Sequence, residues 1–305
     1  MKKYFLNRLL QLIPLLIGIS LISFFVMHLA PGDPTSLFID PNINPQEIAR
    51  VRANWGLDQP IYIQYFLWLK NALFLNFGTS YTSGQPVISE IFDRLPMTLM
   101  LMIPAFLLSF LIAVPIGVYS AVKKNSFFDN FFTVLTFAGM AIPTFWLSLV
   151  LMLIFSVKLH WLPAVQNITL PLIAMTISGL AGITRYQRSA MLEVLNQEYI
   201  RVARAKGLSE RLVIYKHALR NALIPTITIF GLSLPDLFGG AFIIETIFAW
   251  PGMGRLGVQA IFQRNYPLIM GIVIFSAILI ILGNLFADIA YAIVDPRIRY
   301  ASHEK

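Results

Sequence analysis

The chain has 305 residues, of which 57% are hydrophobic and only 12% carry a charge, about half the charged fraction of an ordinary soluble domain. This composition excludes a soluble globular protein and indicates a membrane protein. The net charge of +8 is compatible with several partners, while the lack of cysteine in the sequence excludes disulfide bonds and thiolate metal sites.

Six apolar runs are long enough, or nearly so, to cross a bilayer as helices. They cover residues 9–30, 97–122, 130–157, 159–184 (mainly from Thr169), 222–244 and 265–287. The first run is too long for a signal peptide, and no small-residue cleavage motif follows it. We therefore expect a retained first helix and an all-α integral membrane protein.

Residues 31–95 form the longest segment between two of these runs. A short helix is predicted from Pro45, with Asn44 as its cap and Gly56 at its end. The aromatic stretch at residues 59–78 is too interrupted to span a membrane. It fits either a helix in the membrane interface or a helix packed on the ends of the spans.

The lysines and arginines are distributed unevenly between alternate loops. With the N-terminus in the cytoplasm, 16 of the 23 lie on the cytoplasmic side and 7 outside. This bias predicts six spans with both termini in the cytoplasm. It also explains the positive net charge without a nucleic-acid partner.

The segment at residues 185–221 is the one long cytoplasmic loop that this topology predicts. Its first helix should end at Gly207, and a second should begin after Ser209 as cap. The small side chains expected to form a close-packing surface are Val202, Ala203 and Ala205. We interpret the loop as a docking surface; a solvated loop that only fixes topology is the alternative.

Acidic residues within apolar runs are functional hypotheses by default. Asp236 lies deep in the fifth run, where we expect a structural or gating role, and a proton relay with Glu245 is the rival hypothesis. Residues 246–266 predict a turn-rich, partly re-entrant loop because they contain Pro-Gly and three glycines. The candidate pathway or gating residues are Asp236, Glu245, Trp250, Pro251 and Gly252.

The motifs of several enzyme classes are missing from the sequence. It contains neither a phosphate-binding loop ending in Gly-Lys nor a His-Glu-x-x-His zinc motif. The histidines fall on both predicted membrane sides, so they predict no shared metal site. A membrane enzyme is therefore not favoured, and no catalytic residue is assigned.

The stretch "YIRVARAKGLSERLVIYKHALRNALIP" resembles the cytoplasmic signature loop of ABC importer permeases. It departs from the general form, because only Ala203 matches the Glu-Ala-Ala triplet and Pro225 follows Gly207 by 18 residues instead of 13. It is, however, similar to the variant found in peptide-importer permeases. The stretches "APGDP", "FGTSYTSGQPVISEIFDRLPMTL", "IIETIFAWPGMGRL" and "DPRIRY" also resemble landmarks of that family.

The resemblance implies a B-type permease of the dipeptide and oligopeptide (peptide/nickel) importers, in a bacterial inner membrane. It implies a type I importer architecture in a single domain, residues 1–305. The implied partners are a sister permease, two ATP-binding cassette subunits that bind ATP and Mg²⁺, and an extracytoplasmic binding protein. This chain itself would hold no cofactor.

The same resemblance assigns coupling to the ATPase to one short stretch of the loop. Its residues are Glu198, Arg201, Val202, Ala203, Arg204, Ala205, Lys206, Gly207 and Leu208. Transport of nickel chelates or another small solute by the same kind of permease is one alternative. A stand-alone proton-coupled carrier is the other, and it would have no need of a docking loop.

Overall fold

The computed structural model describes residues 2–29, 35, 45–239 and 241–294. Within them the secondary structure is helical, apart from one isolated bridge between Thr79 and Pro86. The helices are α1 (Lys2–Leu29), α2 (Pro45–Asn54), α3 (Ile61–Ala72), α4 (Val87–Val122), α5 (Phe127–Ala141), α6 (Thr144–Leu151), α7 (Thr169–Leu195), α8 (Glu198–Ala205), α9 (Glu210–Leu212), α10 (Leu219–Leu232), α11 (Asp236–Gly239), α12 (Phe242–Ile247), α13 (Met253–Phe262) and α14 (Tyr266–Val294).

The chain divides into two compact units. The first combines the described part of Met1–Thr98 with Pro251–Ile281. The second combines Leu99–Trp250 with the described part of Leu282–Lys305. The single transmembrane permease domain over residues 1–305 stays a prediction.

Polar anchors as well as apolar side chains organise the first unit. Asn265 is fully buried and its amide donates to Ser80 Oγ over 2.7 Å, while its oxygen accepts the Tyr81 N–H. The Met253 N–H at the start of α13 donates to Thr98 Oγ1 over 2.8 Å. These bonds satisfy buried polar groups and fix the loop before α4 against α13 and α14.

Helix α3 packs on α1 through its buried tyrosine. The Tyr65 hydroxyl lies 2.9 Å from Ser20 Oγ, and its ring contacts Phe24 edge to face. Tyr62 and Phe66, four positions apart, form an exposed face of the same helix. A packed helix with an apolar outer face is compatible with both interpretations of this stretch.

In the second unit, helix α7 is the central element, and it is tied to helices on two sides. Ser109 of α4 donates to the Thr176 carbonyl over 3.0 Å. On the α10 side, Gln187 is fully buried and accepts the Thr226 hydroxyl over 2.6 Å. These contacts bring α4, α7 and α10 together.

Two helical stretches, α4 and Tyr266–Leu285 of α14, are long and apolar enough to cross a membrane. Helix α6 continues as a π-helix over Met152–Lys158. A third span results if α5 and this continued helix, Thr144–Lys158, count as one, but the two are bent by 103° relative to each other. The continuous third run predicted from the sequence is therefore broken. Pro143 explains the break, because it lacks an N–H and restricts Ile142 to the extended conformation observed. The count of six spans stays a prediction.

Several predicted boundaries are confirmed and two are wrong. Helix α2 begins at Pro45, Gly56 follows it with φ +68°, and α7 begins at Thr169. Helix α4 begins ten residues before the predicted run, since Glu90 in its first turn is favourable there. The loop predicted at residues 246–266 is not turn-rich, because it contains the ten-residue helix α13, and its partly re-entrant course stays a prediction.

The remaining local predictions lie outside the described residues. These are the cap at Asn44, the turn "APGDP" and the C-terminal "DPRIRY".

Helices α4 and α7 approach each other closely at Gly117. A Cβ there would lie 2.8 Å from the Thr184 carbonyl oxygen and 2.9 Å from Gln187 Cβ. Because the backbone of α7 would have to shift to admit this Cβ, we expect Gly117→Ala to destabilise the protein by about 1–3 kcal/mol. The midpoint of thermal unfolding of the purified chain would fall accordingly.

Gly182 on α7 provides the matched control. A Cβ at Gly182 meets nothing within 4 Å, so Gly182→Ala should leave the midpoint unchanged or raise it through helix propensity. An unchanged midpoint in Gly117→Ala would contradict the close packing of these two helices.

Candidate functional site

Two short helices with a glycine between them form the segment that the sequence singled out. Helix α8 ends at Ala205, Gly207 has φ +78°, and α9 begins directly after Ser209. The two helices and the glycine break are thus confirmed, although the Ser209 side chain makes no capping hydrogen bond. Glycine adopts this left-handed conformation without steric strain, because it has no Cβ.

One face of α8 is anchored in the core of the second unit. Ile200 is fully buried and Ala203 is only 7% exposed. They belong to a cluster formed by Val118, Ala121, Met191, Ile200, Ala203, Val213, Ile214, Ala218 and Ala222. The cluster joins the end of α4, the end of α7 and the start of α10 to α8.

The opposite face of α8 is open. Val202 is 52% exposed, and Arg201, Ala205 and Lys206 are exposed as well. Ala203 was expected on this surface, and the expectation is wrong, because Ala203 lies three residues after Ile200 and shares its buried face. The surface therefore presents Val202 and Ala205 among basic side chains.

An ion pair connects the two helices across Gly207. Arg204 donates through Nη2 to Glu210 Oε1 over 2.7 Å and through Nε to Oε2 over 3.2 Å. The Arg204 hydrogen bond lowers the pKa of Glu210, so both groups stay charged at neutral pH. Both are largely exposed, so the pair contributes little stability, but its bidentate geometry orients the two helices.

The remaining coupling candidates lie at the ends of this hairpin. Glu198 is exposed in the first turn of α8, where a carboxylate suits the helix dipole. Leu208 is half-buried beside the hydrophobic cluster. The structure thus brings the nine predicted residues together on one local element.

A groove of about 290 Å³ opens in the second unit between α4, α7 and α10. It is mostly apolar, and its lining comprises Met102, Ala105, Phe106, Ser109, Phe110, Met175, Gly179, Gly182, Ile183, Tyr186, Ile229, Ser233, Asp236 and Leu237. The Asp236 side chain is exposed there, and it forms no ion pair with a described residue. Among the described residues of this lining, it is the only one with a charged side chain.

The other pathway candidates do not join Asp236 in the groove. Glu245 is completely buried and Trp250 is 7% exposed. Pro251 and Gly252 belong to the first unit, where the Pro251 carbonyl accepts Arg94 Nη1 over 3.5 Å. The predicted set therefore comprises one groove residue, two buried residues of the second unit and two residues of the first unit.

Sequence reasoning missed a charged pair that joins α5 to α7. Arg188 of α7 donates through Nε to Asp129 Oδ1 over 2.6 Å and through Nη2 to Oδ2 over 2.8 Å. Asp129 is 1% exposed and also accepts the Asn125 N–H. The two residues are 59 positions apart, so no local pattern indicates the pair.

Metal binding has no support among the residues that the structure describes. They contain no group of three or more histidine, aspartate or glutamate side chains that could hold an ion. His28, His160 and His217 occupy separate elements.

Two family models together match most of the chain. Residues 113–300 match the binding-protein-dependent transport system inner membrane component. Residues 1–102 match the N-terminal part of binding-protein-dependent transport system membrane components.

Three relatives that the chain matches over their full length are named as transport system permeases. The chain is 46% identical to the oligopeptide transport system permease protein AppB of Bacillus subtilis, over 98% of this chain and 100% of the relative. It is 38% identical to the dipeptide transport system permease protein DppB of Alkalihalophilus pseudofirmus, with the same coverage. The glutathione transport system permease protein GsiC of Salmonella typhimurium is 41% identical, again over 98% and 100%.

A solved structure agrees in fold. The crystal structure of an amino acid ABC transporter with histidines matches with a TM-score of 0.53 at 15% identity, covering 67% of this chain and 94% of that one. At this identity the match supports the helical permease fold alone.

Proposed function

This chain belongs to the family of binding-protein-dependent transport system inner membrane components, and from that membership we propose that it moves dipeptides or oligopeptides into the cell. It is the permease subunit of an ABC importer, a transport subunit and not an enzyme. The peptide substrate is our inference from relatives named for oligopeptides, dipeptides and glutathione. Nickel chelates or another small solute are the alternative cargo.

The observation that carries the proposal is the exposed face of α8. Helix α8, anchored by Ile200 and Ala203, presents Val202 and Ala205 on its exposed side. Small side chains allow another protein to pack closely, and the surrounding basic side chains favour an acidic cleft. We propose that this face docks on the ATP-binding cassette subunit as the coupling helix.

Coupling requires that motion of the ATPase reaches the membrane helices. The cluster below α8 contains residues of α4, α7 and α10, which are the same helices that line the groove. A push on α8 would therefore move the walls of the groove together as a packed body. We propose that the groove forms part of the peptide pathway, with Asp236 facing the substrate.

The arrangement in the membrane follows from the charge bias. We propose six spans, both termini in the cytoplasm, and a multi-pass location in a bacterial inner membrane. The partners would be a sister permease in a heterodimer, two ATP-binding cassette subunits holding ATP and Mg²⁺, and one extracytoplasmic binding protein. Residues 31–95 would lie outside, and residues 185–221 would form the cytoplasmic coupling loop.

The stand-alone proton-coupled carrier is not favoured. The family model describes a component of binding-protein-dependent transport systems, and AppB of Bacillus subtilis is named as a transport system permease. The structure also separates the two acidic residues of the proposed relay, since Glu245 is completely buried and does not line the groove with Asp236.

Docking can be tested by placing a charge on the exposed face of α8. We expect Val202→Asp to abolish co-purification of the ATP-binding cassette subunits in mild detergent, because a carboxylate at the centre of the interface opposes an acidic cleft and costs a desolvation energy of several kcal/mol. The measurement is mass spectrometry of the proteins that accompany the tagged permease.

Val165→Asp is the matched control. Val165 is 49% exposed, but it lies in the loop before α7, which we place outside. That variant should retain both ATPase subunits. If wild-type permease carried no ATPase, or if Val202→Asp retained it fully, the docking assignment would be wrong.

A further inference from the structure

A polar cavity of about 250 Å³ in the second unit has no role in the proposed transport step. It lies between α4, α5 and α7, and five hydroxyl side chains, two arginines and two phenylalanines line it. None of these residues lines the groove that contains Asp236. A polar cavity that is large enough for a water molecule normally holds a polar occupant.

Two hydroxyl groups in this cavity are buried without a partner. Ser120 is completely buried and Thr184 is 2% exposed. Neither Ser120 Oγ nor Thr184 Oγ1 forms a hydrogen bond with any described residue. Because an unpaired buried hydroxyl costs free energy, both groups are available for an acceptor on a ligand.

The two arginines add further donors to the same cavity. The guanidinium of Arg185 lies over the Phe137 ring at 5.0 Å from its centroid, a stacking that leaves the N–H groups at its edge able to bind an anion. Arg188 uses Nε and Nη2 on Asp129, so Nη1 is not engaged in that pair. A set of hydroxyl and guanidinium donors of this kind suits a phosphate.

The net charge of the cavity specifies the anion further. Arg188 is balanced by Asp129, whereas no described carboxylate pairs with Arg185. One positive charge is thus left, which matches the single negative charge of a phosphodiester. Lys123 and Lys124 follow directly after α4, and with the orientation proposed above this places the cavity at the cytoplasmic headgroup level, where basic pockets between helices bind anionic lipid headgroups.

We propose that this cavity is a binding site for a phosphate group, with Ser120, Thr184, Arg185 and Arg188 as donors. An anionic phospholipid of the inner leaflet is the source that its charge and depth favour. Free phosphate shares the same chemistry, and the experiment below separates the two.

The test uses the assembled transporter, purified in detergent and stripped of lipid. Phosphatidylglycerol, diacylglycerol and inorganic phosphate are titrated separately, and native mass spectrometry counts the bound molecules. We expect one saturable phosphatidylglycerol site for each copy of this chain and no such site for diacylglycerol. Thr184→Val and Arg185→Gln should each weaken this site about tenfold or more, as loss of a hydrogen bond to a charged group does.

Thr176→Val is the matched control for Thr184→Val. Thr176 lies on the same helix, is also buried and also has an unpartnered hydroxyl, but it does not line the cavity. Its variant should bind phosphatidylglycerol as the wild type does. The midpoint of thermal unfolding of each variant shows whether a loss of binding comes from misfolding. Because Arg185 is exposed, Arg185→Gln removes a donor without disturbing the core.

The titrations distinguish the sources and can refute the site. Phosphatidylglycerol binding that inorganic phosphate does not displace identifies a lipid headgroup. Phosphate binding with the same dependence on Thr184 and Arg185, without a lipid site, identifies a free anion. Absence of both, or binding that neither substitution weakens, would overturn the proposal whether or not the chain transports peptides.

Discussion

Replacing Gly207 by valine should abolish ATP-driven uptake while the chain still inserts and folds. Gly207 has φ +78°, and a Cβ built there meets nothing within 4 Å. Valine therefore clashes with no neighbouring residue, but its own backbone is strained. The left-handed conformation costs a residue with a side chain at least about 1–2 kcal/mol. Relief of that strain would turn α8 away from α9, so that the exposed face of α8 no longer meets the ATPase.

The measurement is peptide uptake into proteoliposomes, together with ATPase activity stimulated by the binding protein. Both should be lost in Gly207→Val, because the ATPase no longer engages α8. Gly207→Asn is the chemical control, since asparagine tolerates the left-handed conformation and should keep most of the activity. Normal uptake by Gly207→Val would refute the coupling-loop assignment, and equal loss in both variants would refute its conformational cause.

Features that depend on neighbouring residues were predictable from the sequence. The break at Gly207, the helix start after Ser209 and the first helical position of Pro45 all follow from local backbone preferences. The buried face of α8 also had a signal, because Ile200 and Ala203 are three positions apart and must share a face. The prediction that Ala203 is exposed was wrong because it considered only the small size of the side chain and not this spacing.

Features that depend on distant residues were not predictable in the same way. Arg188 and Asp129 are 59 positions apart, and Asn265 bonds to Ser80 across 185 positions. Helix α13 shows how tertiary packing overrides a local signal. Gly254 and Gly257 favour a turn in isolation, but both are buried within α13, where the absence of a side chain permits close packing.

The groove in the second unit also arises only from tertiary structure, since α4, α7 and α10 contribute its walls. Each of these helices alone shows an ordinary apolar face, and Asp236 at the start of α11 looks like an isolated acid. Only the assembled groove shows that its carboxylate faces open space. The distinction matters for function, because an acid facing a pathway can attract the ammonium group of a peptide.

Gly182→Leu should block transport by filling this groove from its wall. Gly182 lines the groove on α7, and a Cβ there meets nothing within 4 Å, so the leucine fits without disturbing the helices and occupies the space of a passing solute. Overlap between the leucine and the solute should raise the free energy of the solute in the groove by about 1–3 kcal/mol. An increase of about 2 kcal/mol would reduce uptake at least about tenfold. Uptake in proteoliposomes measures the loss.

The ATPase activity distinguishes a blocked groove from a lost coupling helix. Because α8 is untouched, Gly182→Leu should keep ATPase stimulation by the binding protein, whereas Gly207→Val loses it. Gly231→Leu is the matched control, since Gly231 on α10 also has open space at its Cβ but does not line the groove, and it should retain uptake. If Gly182→Leu transported peptides at the rate of Gly231→Leu, the groove would lie off the pathway, and Asp236 would have to be assigned a structural role instead.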